Sequence, residues 1–240
     1  MIRKDAINYA FKNLNDYFVL NKFSKTKKTA RGFAYKKPIE NGYIGFGLGI
    51  IGYDDDFRLR FSVHKQDLRI EEICNHVLKN TDNQLPIKPE IDEESVSLAT
   101  TYDSDGTNNY DHRFPLCKNE IDVKNECQEI KKFLDTRAFP FFTEMSDLRK
   151  LDKIINEDNF WYDDWMSPFG FSLGGNFWIK RLIVAKLSGN KNFAEIVDKQ
   201  YKLIEKASLD NGSPFTYDRN DLTREIPYTV EYLKNIKPLY

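Results

Sequence analysis

The 240-residue chain has only three cysteines and three histidines, carries almost no net charge and lacks any long apolar run. Each shortage removes a class of function. Cys74, Cys117 and Cys127 are odd in number and have no CxxC spacing, so a disulfide framework is excluded and a reducing compartment is expected. His64, His76 and His112 lack the HExxH or paired-cysteine pattern of a zinc site, so no metal is expected. No window holds the roughly 20 apolar residues of a membrane span. The start of the chain is broken by Lys4, Asp5, Asn8 and Lys12 where a signal peptide would be continuously apolar. The expected location is cytoplasmic, with no membrane partner.

The 36 basic and 37 acidic side chains give a formal net charge of −1, so no global field draws the molecule to nucleic acid or anionic lipid. Locally, seven basic residues and no acid lie between Asp16 and Glu40. Such a run reads as a solvated loop leading into a strand. An anion-binding arm is the sharper alternative, but it has no aromatic ladder or nucleic-acid motif beside it, so nucleic acid is not the expected partner.

What the chain does have is a glycine pattern. Gly47, Gly49 and Gly52 fall in the spacing G-x-G-x-x-G, the fingerprint of a dinucleotide site. That fingerprint works only where the glycines turn a strand into a helix whose N-terminus faces a pyrophosphate. Here the next segment alternates, with Phe57, Leu59, Phe61 and Val63 on one face and Arg58, Arg60, Ser62 and His64 on the other, which is a half-buried strand. The preceding segment alternates too, Ile44, Phe46, Leu48 and Ile50 against Tyr43, Gly45, Gly47 and Gly49. Residues 42–65 therefore read as a β-hairpin with Asp54, Asp55 and Asp56 at its tip, and no dinucleotide or other cofactor is expected.

Around this hairpin the periodicity predicts an N-terminal helix over residues 2–20 and an inserted helix over 68–79. A further strand is expected at Ser95–Tyr102, and the turn signal "DSDGTNN" at Asp103–Asn109 suggests a hairpin tip. From Asn119, an expected N-cap with Asp122 three residues on, the pattern is helical to the end. Pro140 should kink or end that first helix, and Ser146 should cap the next. Gly189 should divide an αα-hairpin, and a last short helix should start near Pro227. The expected fold class is α+β: an antiparallel sheet with an N-terminal and an inserted helix, then an all-helical half. It is read as one domain over residues 1–240, with sheet in 1–118 and helix in 119–240.

Chemistry is sparse. Cys74 and Cys127 lie on apolar helical stripes, which leaves Cys117 as the thiol to test for reactivity. The oxygen-rich loop of Asp103, Asp105, Asn109 and Asp111 has its glycine in the wrong place for an EF-hand and reads as a turn. Trp161 and Trp165 flank Asp163 and Asp164 in an aromatic loop that either anchors the core or anchors a partner. On the hairpin, a register pairing Gly45, Gly47 and Gly49 with the Arg58, Arg60 and His64 face would make a shallow floor edged by cations, open to a close backbone or a flat ligand. The same glycines would equally suit a tightly packed helix. No catalytic set is complete. The expectation is a binding protein using the hairpin face or the Trp161 and Trp165 loop; the alternative is a sensor or enzyme holding an anion at Arg58, Arg60 and His64.

The phrases "RGFAYKK", "YIGFGLGIIGYDDDFRLRF", "FLDTRAFPFFTEMSDLRKLDKIIN" and "RLIVAKLSGNKNFAEIV", in that order, resemble a family of small bacterial proteins known only as a domain of unknown function. The resemblance implies a bacterial cytoplasmic α+β protein and supplies no catalytic residue. Some proteins of this general sort look like immunity partners of secreted toxins.

Overall fold

The computed structural model describes residues 3–52, 57–81, 97–100, 114–156, 171–173, 176–209 and 219–240. In chain order the elements are α1 (Arg3–Leu20), β1 (Ser24–Thr29), β2 (Gly32–Ile39), β3 (Gly42–Gly52), β4 (Phe57–Asp67), α2 (Leu68–Thr81), β5 (Leu98–Thr100) and β6 (Leu116–Cys117). There follow α3 (Glu120–Phe133), one π-helical turn (Leu134–Ala138), α4 (Phe139–Glu144), α5 (Leu148–Ile155), β7 (Phe171–Ser172), α6 (Phe177–Leu187), α7 (Phe193–Leu209) and α8 (Arg219–Lys234). The fold is α+β. It forms two compact units: of the described residues, 3–67, 98–143 and 171–172 belong to the first and 68–81, 97, 144–156, 173, 176–209 and 219–240 to the second.

The first unit holds the sheet, α1, α3 and α4 as far as Thr143. All strand pairs are antiparallel, in the order β1-β2-β3-β4-β5-β7, with β6 also paired to β4. Period-two alternation decides which face is buried: Phe33 and Tyr35 of β2, Phe46 and Leu48 of β3, and Phe57, Leu59, Phe61 and Val63 of β4 all lie in the core. α1 lays Ile7, Ala10, Leu14 and Phe18 on that face at helical spacing. The Phe18 ring sits 4.5 Å from both Tyr35 and Phe46, and Phe133 of α3 meets Phe61 at 5.5 Å. Each such side chain contributes about 1.5–3 kcal/mol of burial.

Three expectations for this unit need correction. The basic stretch after α1 is a strand, β1, not a loop leading into one. All six of its residues are exposed, so it shows no alternation; pairing to β2 makes it a strand. Of the two outcomes expected at Pro140, a kink or an end of the helix, the end does not occur and the helical ladder is instead distorted just ahead of it. Since proline would clash with the carbonyl four residues back, the backbone widens beforehand into the π turn, where the Phe139 N–H donates to the Leu134 carbonyl, and α4 continues through Pro140. Finally, Cys117, the thiol singled out for a reactivity test, lies not in a loop but buried in β6 opposite Phe57, where burial helped by Glu126 and Asp122 pushes it up to about 11.

The second unit contains α2 and α5–α8. α6 is apolar nearly all round and is buried from Ile179 to Ala185. It ends in a Schellman motif: Asn190 N–H donates to Ala185 O, Gly189 N–H donates to Lys186 O, and Gly189 takes a φ of 73° that only glycine adopts readily. α5 is capped by Asp147 rather than Ser146, because the Asp147 carboxylate accepts the Arg149 N–H at 3.0 Å. Its second tie to the Arg149 guanidinium holds that carboxyl down at about 2. α8 also departs from expectation. It begins at Arg219, ahead of Pro227, and keeps the proline inside, since the buried face of Ile226, Thr229 and Leu233 outweighs one lost hydrogen bond.

Candidate functional site

The sheet of the first unit has a second face, opposite α1. Registers from β2 through β4 lay out its rows as Lys36, Gly45 and His64, then Ala34, Gly47 and Ser62, then Gly32, Gly49 and Arg60. Arg58 follows, opposite Ile51. The register thus brings Gly45, Gly47, Gly49, Arg58, Arg60 and His64 onto one face. The G-x-G-x-x-G run lies wholly within β3, and the next described element is the strand β4.

The glycines are not equivalent. A Cβ on Gly45 would overlap the His64 imidazole, which lies across it; one on Gly32 would strike the Leu48 carbonyl; and Gly42 has a φ of +135°. Backbone contacts and φ require glycine at 32 and 42, and at 45 the space beside the glycine is taken by the His64 ring. At Gly47 an added Cβ meets only Ser62 Oγ at 3.7 Å, and at Gly49 only the Arg31 carbonyl at 3.5 Å, both ordinary van der Waals contacts. Among the described residues, nothing in the fold requires glycine at 47 or 49.

The rim is cationic. Lys36 Nζ stands 3.7 Å above the Tyr43 ring, and Tyr43 meets His64 edge to face at 5.7 Å. Burial, reinforced by Lys36, lowers the His64 pKa from its ordinary 6.5, so the ring is neutral at pH 7. Arg60 is exposed at the other end. The Arg58 guanidinium donates to the Phe114 carbonyl. Among the described residues of this face there is no acid. Ser62 and His64 share the face without a hydrogen bond between them, so no nucleophile and base are paired. Trp161 and Trp165, like His112 and the turns at 54–56 and 103–109, lie outside the described residues.

Two buried clusters in the second unit escaped the sequence reading. Glu71 Oε1 accepts Ser97 Oγ at 2.6 Å and pairs with Lys180 Nζ at 3.0 Å, while Lys180 also donates to the Leu173 carbonyl at 3.4 Å. With Ser97 0%, Glu71 1% and Lys180 2% exposed, no substrate reaches that hydroxyl in this conformation. Next to Lys180 in the chain, Arg181 Nε donates to Asn156 Oδ1 at 3.1 Å, and Asp152 accepts Asn156 at 2.7 Å and Asn190 at 2.6 Å. Burial, partly offset by Asp152, brings Arg181 down to about 9. The available signal was the adjacent pair Lys180 and Arg181 in the middle of "FWIKRLIVAKL", whose only other charge is Lys186 in the last turn.

The remaining thiols are inert: burial pushes both Cys74 and Cys127 up to about 12. Among the described residues no group of three or more histidine, cysteine or acidic side chains is placed to hold a metal, and no helix is long and apolar enough to cross a membrane. Comparison with family models, curated proteins and solved structures gives no match for the chain.

Proposed function

We propose that the protein is a binding module of the bacterial cytoplasm, of immunity type, which receives a flat surface of another protein on the floor formed by Ala34, Gly47, Gly49 and Ser62. The observation that carries this reading is that Gly47 and Gly49 sit at strand positions where the described fold has room for a side chain. Glycine inside a strand costs about 0.5–1 kcal/mol relative to alanine, and close approach by another backbone is the ordinary reason to retain it. The resemblance noted above supplies the immunity-type element. The alternative, an anion held jointly by Arg58, Arg60 and His64, has less support, because Arg58 is bound to the Phe114 carbonyl and His64 is neutral.

The test is native mass spectrometry of the protein purified gently from its host, beside a Gly47→Thr, Gly49→Thr double variant. The wild type should retain a stoichiometric protein, and the variant should be folded, no less stable and bare. A variant that keeps the same partner at the same stoichiometry overturns the site, and a small retained mass in place of a protein overturns the function.

A further inference from the structure

The seven basic residues between Asp16 and Glu40 are gathered by the β1–β2 ribbon. Registers place Lys27 and Lys36 on the side of the glycine floor, and Lys25, Lys28 and Lys37 on the side of α1; Lys22 precedes β1 and Arg31 forms its turn to β2. None of the seven forms an ion pair with a carboxylate among the described residues. Some lysines elsewhere on the surface do find a carboxylate, among them Lys132 with Glu129, Lys150 with Glu144, Lys199 with Glu195, Lys202 with Asp198 and Lys234 with Glu231. Because the chain totals −1, a stretch of +7 leaves −8 for all other residues. A molecule that is neutral as a whole is thus sharply polarised along its sequence.

Resting on the reading of the protein as a binding module, we infer that this ribbon is the electrostatic half of the docking surface and that the partner is a protein with an acidic face. A concentrated positive field accelerates encounter with such a face and rejects basic surfaces. Nucleic acid is the other polyanion to weigh, and two observations disfavour it. Three rings beside the ribbon carry an ammonium, Lys28 at 4.0 Å over Phe11, Lys37 at 5.6 Å over Phe23 and Lys36 at 3.7 Å over Tyr43, and the Phe33 and Tyr35 rings of β2 are buried, which leaves those faces closed to base stacking. The −8 of the remaining chain repels a long polyanion while leaving a limited acidic patch unopposed.

Fluorescence anisotropy with labelled poly-L-glutamate of about 20 residues tests this, against single-stranded and duplex DNA probes of matched charge. The wild type should bind poly-L-glutamate at about 25 mM salt, about tenfold more weakly at about 200 mM, and more tightly than either DNA. The variant Lys25→Gln, Lys27→Gln, Lys28→Gln, Lys36→Gln, checked for native circular dichroism, should lose about tenfold or more in affinity. No binding of poly-L-glutamate at low salt, or equal binding by the folded charge variant, overturns the inference. Tighter binding of DNA also overturns it and reassigns the ribbon to nucleic acid. The Gly47→Thr, Gly49→Thr variant keeps all seven cations and should bind the probe like wild type, so failure of the glycine floor and failure of the ribbon are read separately.

Discussion

The His64 imidazole lies across Gly45, its partner between β3 and β4, in the volume a Cβ would occupy. Two residues along the same face, Gly47 has only Ser62 Oγ within van der Waals range of that volume. Gly45→Ala must therefore displace the ring and should destabilise the protein by about 1–3 kcal/mol as an overpacking change. Gly47→Ala should be neutral or stabilise by about 0.4–1 kcal/mol. Urea unfolding of both, repeated in a His64→Ala background, checks the cause: without the ring, Gly45→Ala should cost nothing further. Equal effects of the two alanines in the wild-type background would contradict this account.

The same ring makes stability depend on pH. Burial first, and Lys36 second, hold His64 below its ordinary pKa of 6.5 in the folded state, so on acidification the unfolded chain takes up this proton first. Stability from this site is complete above about pH 6.5 and falls as pH drops toward the lower folded value. The urea midpoint of the wild type should decline between about pH 7 and 5 more steeply than that of His64→Gln. Superimposable pH curves for the two proteins would sink this assignment.

How far the sequence was legible depended on whether a feature was local. Strict alternation from Tyr43 to Lys65 predicts β3, β4 and their shared faces, and "LSGN" predicts the turn at Gly189, because both signals lie within a few residues. β1 was not legible as a strand, since Ser24–Thr29 is polar on both faces and owes its state to pairing with β2. Nor was the fate of Arg58, whose acceptor Phe114 is 56 residues away. Gly45, Gly47 and Gly49 are identical letters at equal spacing, and only the side chains opposite them, His64, Ser62 and Arg60, separate a glycine that the fold needs from one that it does not.

The ion pair of Lys180 and Glu71 offers the largest single effect. Both side chains are almost wholly buried, 3.0 Å apart, with Ser97 donating to the same carboxylate. Taking the two charges out of water is offset only while both are present. Lys180→Met leaves Glu71 charged in the interior and should destabilise the protein by about 3–5 kcal/mol. Adding Glu71→Gln removes the orphaned charge yet keeps an acceptor for Ser97, so the double variant should regain much of that loss. Denaturant unfolding of Lys180→Met, Glu71→Gln and the pair checks this. A loss below about 1 kcal/mol for Lys180→Met would show an exposed surface pair rather than a buried one. A double variant no better than Lys180→Met would instead assign the loss to the lysine's other contact, the Leu173 carbonyl at 3.4 Å, and to the packing of its stem.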